Sequence, residues 1–120
     1  MFSKSYLAGR SLSQLKSQRE SLMKELQRYH PFAMGTLQFR HHVCQKAGCK
    51  CMHPTNPQPH GPYHYLAFRG TETPGMLVLS KEQLPAAKKL LKNYDHFWET
   101  MKKISSINVE LLKRKEVATL

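Results

Sequence analysis

From Ser11 onward, leucines return every three or four residues: Leu12, Leu15, Leu22 and Leu26, then Tyr29, with Met23 beside them. That period is one face of a helix. Pro31 closes it near His30, because the residue before a proline is pushed out of the helical region. The pattern therefore predicts a helix over 11–30. Residues 12, 15, 19, 22, 26 and 29 form a heptad-like seam with Arg19 as its one polar break. A seam this short serves either a core within one chain or a two-chain coil. Residues 1–10 fall outside the pattern and read as a flexible basic lead-in.

Beyond Pro31 the period changes from about 3.6 to two. TLQFRHHV (36–43) and PYHYLAFR (62–69) alternate, and Pro62 stands at a strand's first position, where it is tolerated. GTETPG (70–75) reads as a turn and MLVLS (76–80) as a returning strand. Ser80 and Gln83 form a capping box that opens a second helix over about 81–115. Leu84, Ala87, Leu91, Tyr94, Trp98 and Met101 make its seam, and Leu90, Phe97, Ile104 and Leu111 widen it. Pro85 lies near the first turn, where its missing N–H does no harm. The expected fold is α+β: an N-terminal helix, a three-stranded antiparallel sheet over 36–80 with a metal-knuckle loop, and a long C-terminal helix packed against the first.

A length of 120 residues suits one domain. Nineteen Lys and Arg against eight Asp and Glu give a formal charge of +11, which favours a polyanionic partner. No stretch approaches the ~18 apolar residues of a membrane span. The opening MFSKSYLAGRSLSQL carries no continuous apolar run, so no signal peptide is expected. Three clustered cysteines are an odd, tightly spaced set that fits a reducing cytoplasm better than a disulfide scaffold.

Those cysteines are Cys44, Cys49 and Cys51, in the spacing C-x4-C-x-C. Structural zinc takes four thiolate or imidazole ligands. With no cysteine left, the fourth ligand must be a histidine. His53 is nearest in sequence, while His60 opens the strand that pairs with the one ending at Cys44, and His60 is preferred. The catalytic readings lack their other parts. No acidic residue lies between Glu25 and Glu72, so neither a deaminase glutamate nor nuclease carboxylates are at hand. The chain is expected not to be an enzyme.

The same acid-free span holds Arg28, Arg40, Lys46, Lys50 and Arg69. Strand alternation puts Leu37, Phe39, Leu66 and Phe68 on one face for the core. Gln38, Arg40, Tyr63, Tyr65 and Arg69 then share the other face, where they suit nucleic acid, with Lys46 and Lys50 beside them. The expected function is a small nucleic-acid-binding protein, double-stranded DNA first, with an accessory role in transcription or a mobile element. The second reading is a protein–protein adaptor or dimerising subunit of a larger nucleoprotein complex, acting through its long helices.

The run Cys44-x4-Cys49-x-Cys51, His60-Gly61-Pro62-Tyr63, an aromatic strand and a long helix with Asn93-Tyr94 resembles a family of small bacterial and archaeal proteins. That family is known only as a domain of unknown function, and the likeness covers roughly 35–112. The resemblance implies the fold, a bound metal and His60 as ligand, because the HGPY histidine recurs there. It implies no activity. This chain departs from the usual pattern in its proline-rich 54–59 insert and its GTETPG turn. Three strands followed by a helix is also similar, at the level of fold, to the arm-type DNA-binding domains of tyrosine recombinases.

Overall fold

A computed structural model of the chain describes residues 2–120. Its elements are α1 (Lys4–Ala8), α2 (Leu12–Leu26), β1 (Met34–His42), β2 (His60–Arg69), β3 (Gly75–Leu79) and α3 (Gln83–Lys113). The strands form one antiparallel sheet in the order β1-β2-β3. This is the predicted α+β order. Among the described residues, no helix is long and apolar enough to cross a membrane. The chain divides into two compact units, Met1–Pro31 with Lys92–Leu120, and Phe32–Leu91. The helix α3 contributes its first turns to the second unit and the rest to the first.

In the helical unit, α2 starts at a capping box. The Ser11 hydroxyl accepts from the Gln14 amide, and the Gln14 side chain accepts from the Ser11 amide. Leu15 and Leu22 of α2, Ile107 and Leu111 of α3, and Leu7 of α1 form the core. The lead-in thus contains a helix rather than loop. Ser3 caps α1, Leu7 buries its side chain, and the Arg114 guanidinium donates to the Leu7 carbonyl at 2.8 Å. Arg19, the polar break in the seam, donates to Asn108 Oδ1 at 2.8 Å and to the Thr119 carbonyl at 2.7 Å. A half-buried cation beside an apolar core is tolerated because its donors are matched.

Two helix expectations need correction. The stripe predicts α2 over 11–30, but the helix ends at Leu26. Residues 27–29 continue as tighter turns, with Arg28 bonding back to Glu25 and Tyr29 to Leu26, and the Tyr29 ring stacks 5.0 Å from His96. On α3 the predicted seam runs through Trp98, which is 47% exposed, while Thr100 and Ile107 are buried instead. Trp98 and Ile107 are nine positions apart, which at about 3.6 residues per turn sets them on opposite faces of α3. The helix is shared between the two units, and the part from Lys92 onward buries a different face from the part that carries Leu84 and Ala87. Asn93 has a positional role, since its Nδ2 donates to the Pro31 carbonyl at 2.8 Å.

In the sheet unit, α3 begins with the predicted cap. Ser80 Oγ accepts from the Gln83 amide, and Gln83 Oε1 accepts from the Ser80 amide. Leu66 is the buried residue of β2, and Ala87 is buried on the first turns of α3. Cβ pairing keeps Leu37, Leu66 and Leu77 in one row across the sheet. Phe39 belongs to this apolar face but is 60% exposed, against the expectation that it joins the core. It lies opposite His64, and the His64 and His41 rings stand against it at 5.0 and 6.1 Å.

Candidate metal centre and sheet surface

The loop between β1 and β2 turns back on itself twice. Gln45 and Gly48 take left-handed backbone conformations, with φ of 62° and 82°. The Cys49 amide donates to the Lys46 carbonyl, and the Met52 amide to the Cys49 carbonyl. These turns aim three sulfurs inward. Cys44 Sγ lies 3.4 Å from Cys51 Sγ, and Cys49 Sγ lies 3.2 Å from His60 Nε2. All four ligand atoms lie within 4.8 Å of one another. A tetrahedral zinc with Zn–S of about 2.3 Å spaces its ligands by about 3.8 Å, so the group has the size such an ion needs. Soft thiolates with one imidazole are a donor set that selects zinc-like ions over Mg²⁺ or Ca²⁺.

His53 serves the loop instead. Its Nδ1 accepts from the Asn56 amide at 2.9 Å and the Thr55 amide at 3.3 Å, and its side chain is exposed. The imidazole thereby holds the turn over 53–56.

The thiols do not share one environment. Burial pushes the Cys51 thiol up, but hydrogen bonds from the Cys44 amide, the Cys44 and Cys49 thiols and the Gln45 amide outweigh it and hold the group below its ordinary value. For Cys44, the Lys46 amide favours the thiolate, yet hydrogen bonding to Cys51, burial and the nearby Cys49 outweigh that and hold it above. Cys51 is thus the readier thiolate, and it is also the buried one, at 2% exposure.

His60 reaches the cluster through a β-bulge. Arg40 pairs with Tyr63, but two residues later His42 pairs with His60, so Gly61 and Pro62 together oppose His41 and β2 carries one residue in excess. Without the bulge, His60 would alternate onto the apolar face. With it, His60 shares a face with Tyr63 and Tyr65. Gly61 has φ 112°, and a Cβ there would stand 2.9 Å from the Arg40 carbonyl oxygen. Both facts demand glycine. We expect Gly61→Ala to weaken metal retention about tenfold or more. Competition against a chromogenic chelator measures this, and unchanged retention would mean that the bulge does not place His60.

The register places the predicted sheet residues as alternation implies. Gln38 pairs with Tyr65 and Arg40 with Tyr63, so these four are neighbours on one face. Arg69 shares that face but pairs with Met34 at the far end of β2, about 20 Å along the strand from Tyr63. Lys46 and Lys50 are exposed on the knuckle. The Gln38 Oε1 is buried without a hydrogen-bond partner. Sequence reasoning leaves out His42 as part of this surface. Its ring stacks on Tyr63 at 4.9 Å with planes 27° apart. Alternation along β1 already sets His42 on the face of Gln38 and Arg40, and the bulge decides only that its partner is His60.

The sequence model of one protein family, described as a domain of unknown function (DUF6788), matches residues 12–89. No curated protein and no solved structure matches the chain.

Proposed function

The chain belongs to the DUF6788 family, and we propose that it is a small non-enzymatic nucleic-acid-binding protein whose sheet is held by a structural zinc. One observation carries the reading. The register sets Gln38, Arg40, Tyr63 and Tyr65 side by side on one sheet face, Arg40 exposed and the other three half-buried, inside a span free of acidic residues. A polyanion approaching that face meets cations, an amide and rings with no local carboxylate to repel it. The net charge of +11 adds a long-range attraction.

Zinc in this reading is structural. Cys44, Cys49, Cys51 and His60 supply four protein ligands, which leaves no open position for a reacting water. The ion ties the knuckle to the start of β2, and thereby the basic loop to the aromatic face. A supporting role to transcription or to a mobile element suits a chain of this size and charge.

The double variant Arg40→Ala/Arg69→Ala tests the surface. Salt titrations of oligonucleotide binding should show the slope of log K against log salt fall by about one to two, since each neutralised phosphate contributes about 0.7–0.9. An unchanged slope would remove this face as the contact surface.

A second reading, a protein–protein adaptor or dimerising subunit, is favoured by a groove of about 540 Å³ in the helical unit. Met23, Leu26, Met101, Ile104, Val109 and Leu112 line it. Light scattering beside a mobility-shift assay separates the two readings. A stable oligomer with no shift at low salt would favour the adaptor.

A further inference from the structure

Four rings neighbour one another on the polar face of the sheet, His42 on β1 and His60, Tyr63 and Tyr65 on β2. His60 stands 5.8 Å from His42, His42 4.9 Å from Tyr63, and Tyr63 6.5 Å from Tyr65. The bulge at Gly61 makes the grouping possible by bringing His60 and His42 into register on that face. On one side of the tyrosines, β1 presents Arg40 opposite Tyr63 and Gln38 opposite Tyr65. On the other side, β3 presents Val78 opposite Tyr65 and Met76 opposite Ala67, and these two are 55% and 49% exposed.

We propose that this face is a stacking platform for single-stranded nucleic acid. The proposal rests on the nucleic-acid reading above and names the form of the ligand. Successive ring planes are tilted to one another by 37°, 27° and 73°, whereas neighbouring bases of a duplex lie parallel about 3.4 Å apart. Bases that stack on successive rings must therefore be parted from one another. A single strand does this readily, whereas a duplex must first unpair and unstack. The apolar border points the same way. Met76 and Val78 give no hydrogen bond to a phosphate, but they accept the face of a base or sugar. Arg40 beside the rings, and Lys46 and Lys50 near the His60 end, are exposed and take the phosphates. Stacking is sequence-tolerant, because every base offers a π face.

The test uses the full-length, zinc-loaded chain and fluorescence anisotropy at low salt. The probes are a mixed-sequence strand of about 20 nucleotides, longer than a typical site of about 4–16, as DNA and as RNA, and the DNA duplex of the same sequence. The single strand of at least one sugar type should bind about tenfold or more tighter than the duplex. Tyr65→Leu should lower single-strand affinity about tenfold, the loss expected of one stacked base. Phe39→Leu, on the opposite face, should leave it unchanged. Tyrosine emission of the wild-type chain should be quenched by the single strand, a readout that does not depend on any variant folding.

Duplex binding equal to or tighter than single-strand binding would overturn the single-strand assignment and leave the nucleic-acid reading standing. Single-strand binding without quenching, or undiminished in a folded Tyr65→Leu, would overturn the platform alone. No binding to any of the three probes would overturn both readings.

Discussion

Serine in place of Cys51 will unfold the sheet unit and leave the helical unit folded. The sheet unit spans Phe32–Leu91, yet only Cys51, Leu66 and Ala87 are buried in it. So small an apolar core cannot offset the ordering of its backbone, which costs about 1–2 kcal/mol per residue. A metal changes this balance. Structural zinc binds small peptide sites with an apparent free energy of about 10–16 kcal/mol, and that energy drives folding. Cys51 is the buried one of the four ligands, so its loss takes a thiolate from the interior of the site.

Hydrogen exchange read residue by residue checks the prediction. Protection across β1, β2 and β3 should collapse to that of an unfolded chain, while protection in α2 and the last turns of α3 persists. A strong chelator should do the same to the wild-type protein. Acid should act in the same direction, because protons compete with the metal for the ligands. The Cys44 thiol is held above its ordinary value, so it is a ligand whose proton the metal must displace. Sheet protection that survives both the substitution and the chelator would show that the four side chains do not hold the fold together.

The helical unit is expected to fail at other positions. Leu15, Ile107 and Leu111 are fully buried in one cluster. Ile107→Ala should cost about 2–5 kcal/mol, from lost burial and from the cavity left behind. Leu15→Ala should cost about as much. The two residues share one core, so the double variant should not be additive. Trp98→Ala is the contrast. Its side chain is large and sits on the predicted seam, yet it is 47% exposed and should cost well under its buried counterparts. Denaturant unfolding followed by helical ellipticity ranks the three. A Trp98→Ala loss equal to that of Ile107→Ala would mean that the face of α3 carrying Trp98 is packed as tightly as the one carrying Ile107.

The legible and illegible parts divide along one line. The cap of α3 was legible because it is local: Ser80 with Gln83 closes its box within four residues. The three cysteines were legible because eight residues of loop hold them, whatever the rest of the chain does. The helix in 1–10 was not, because one buried leucine makes no period; α1 is held by Leu7 in a core shared with Leu15 and Leu22 of α2 and with Ile107 and Leu111 of α3. Arg19 reads as a flaw in a seam until Asn108 and Thr119 arrive beside it. The exposure of Phe39 was equally hidden, since alternation assigns a face but not what covers it.

The choice between His53 and His60 shows the division most clearly. By itself, the sequence determined the element order, the cap of α3, the strand alternation and a cysteine cluster that needs a histidine. Each of these rests on neighbours within a few residues, where bond geometry and periodicity act directly. Only the tertiary structure decided that His60 stands 3.2 Å from Cys49 while His53 binds its own loop, and that His42 joins the group with Tyr63 and Tyr65. The face that His60 takes, and its pairing with His42, depend on one extra residue at the Gly61 bulge. A shift of one position in strand register moves a side chain to the opposite face, and that register is set by pairing between strands rather than along either one.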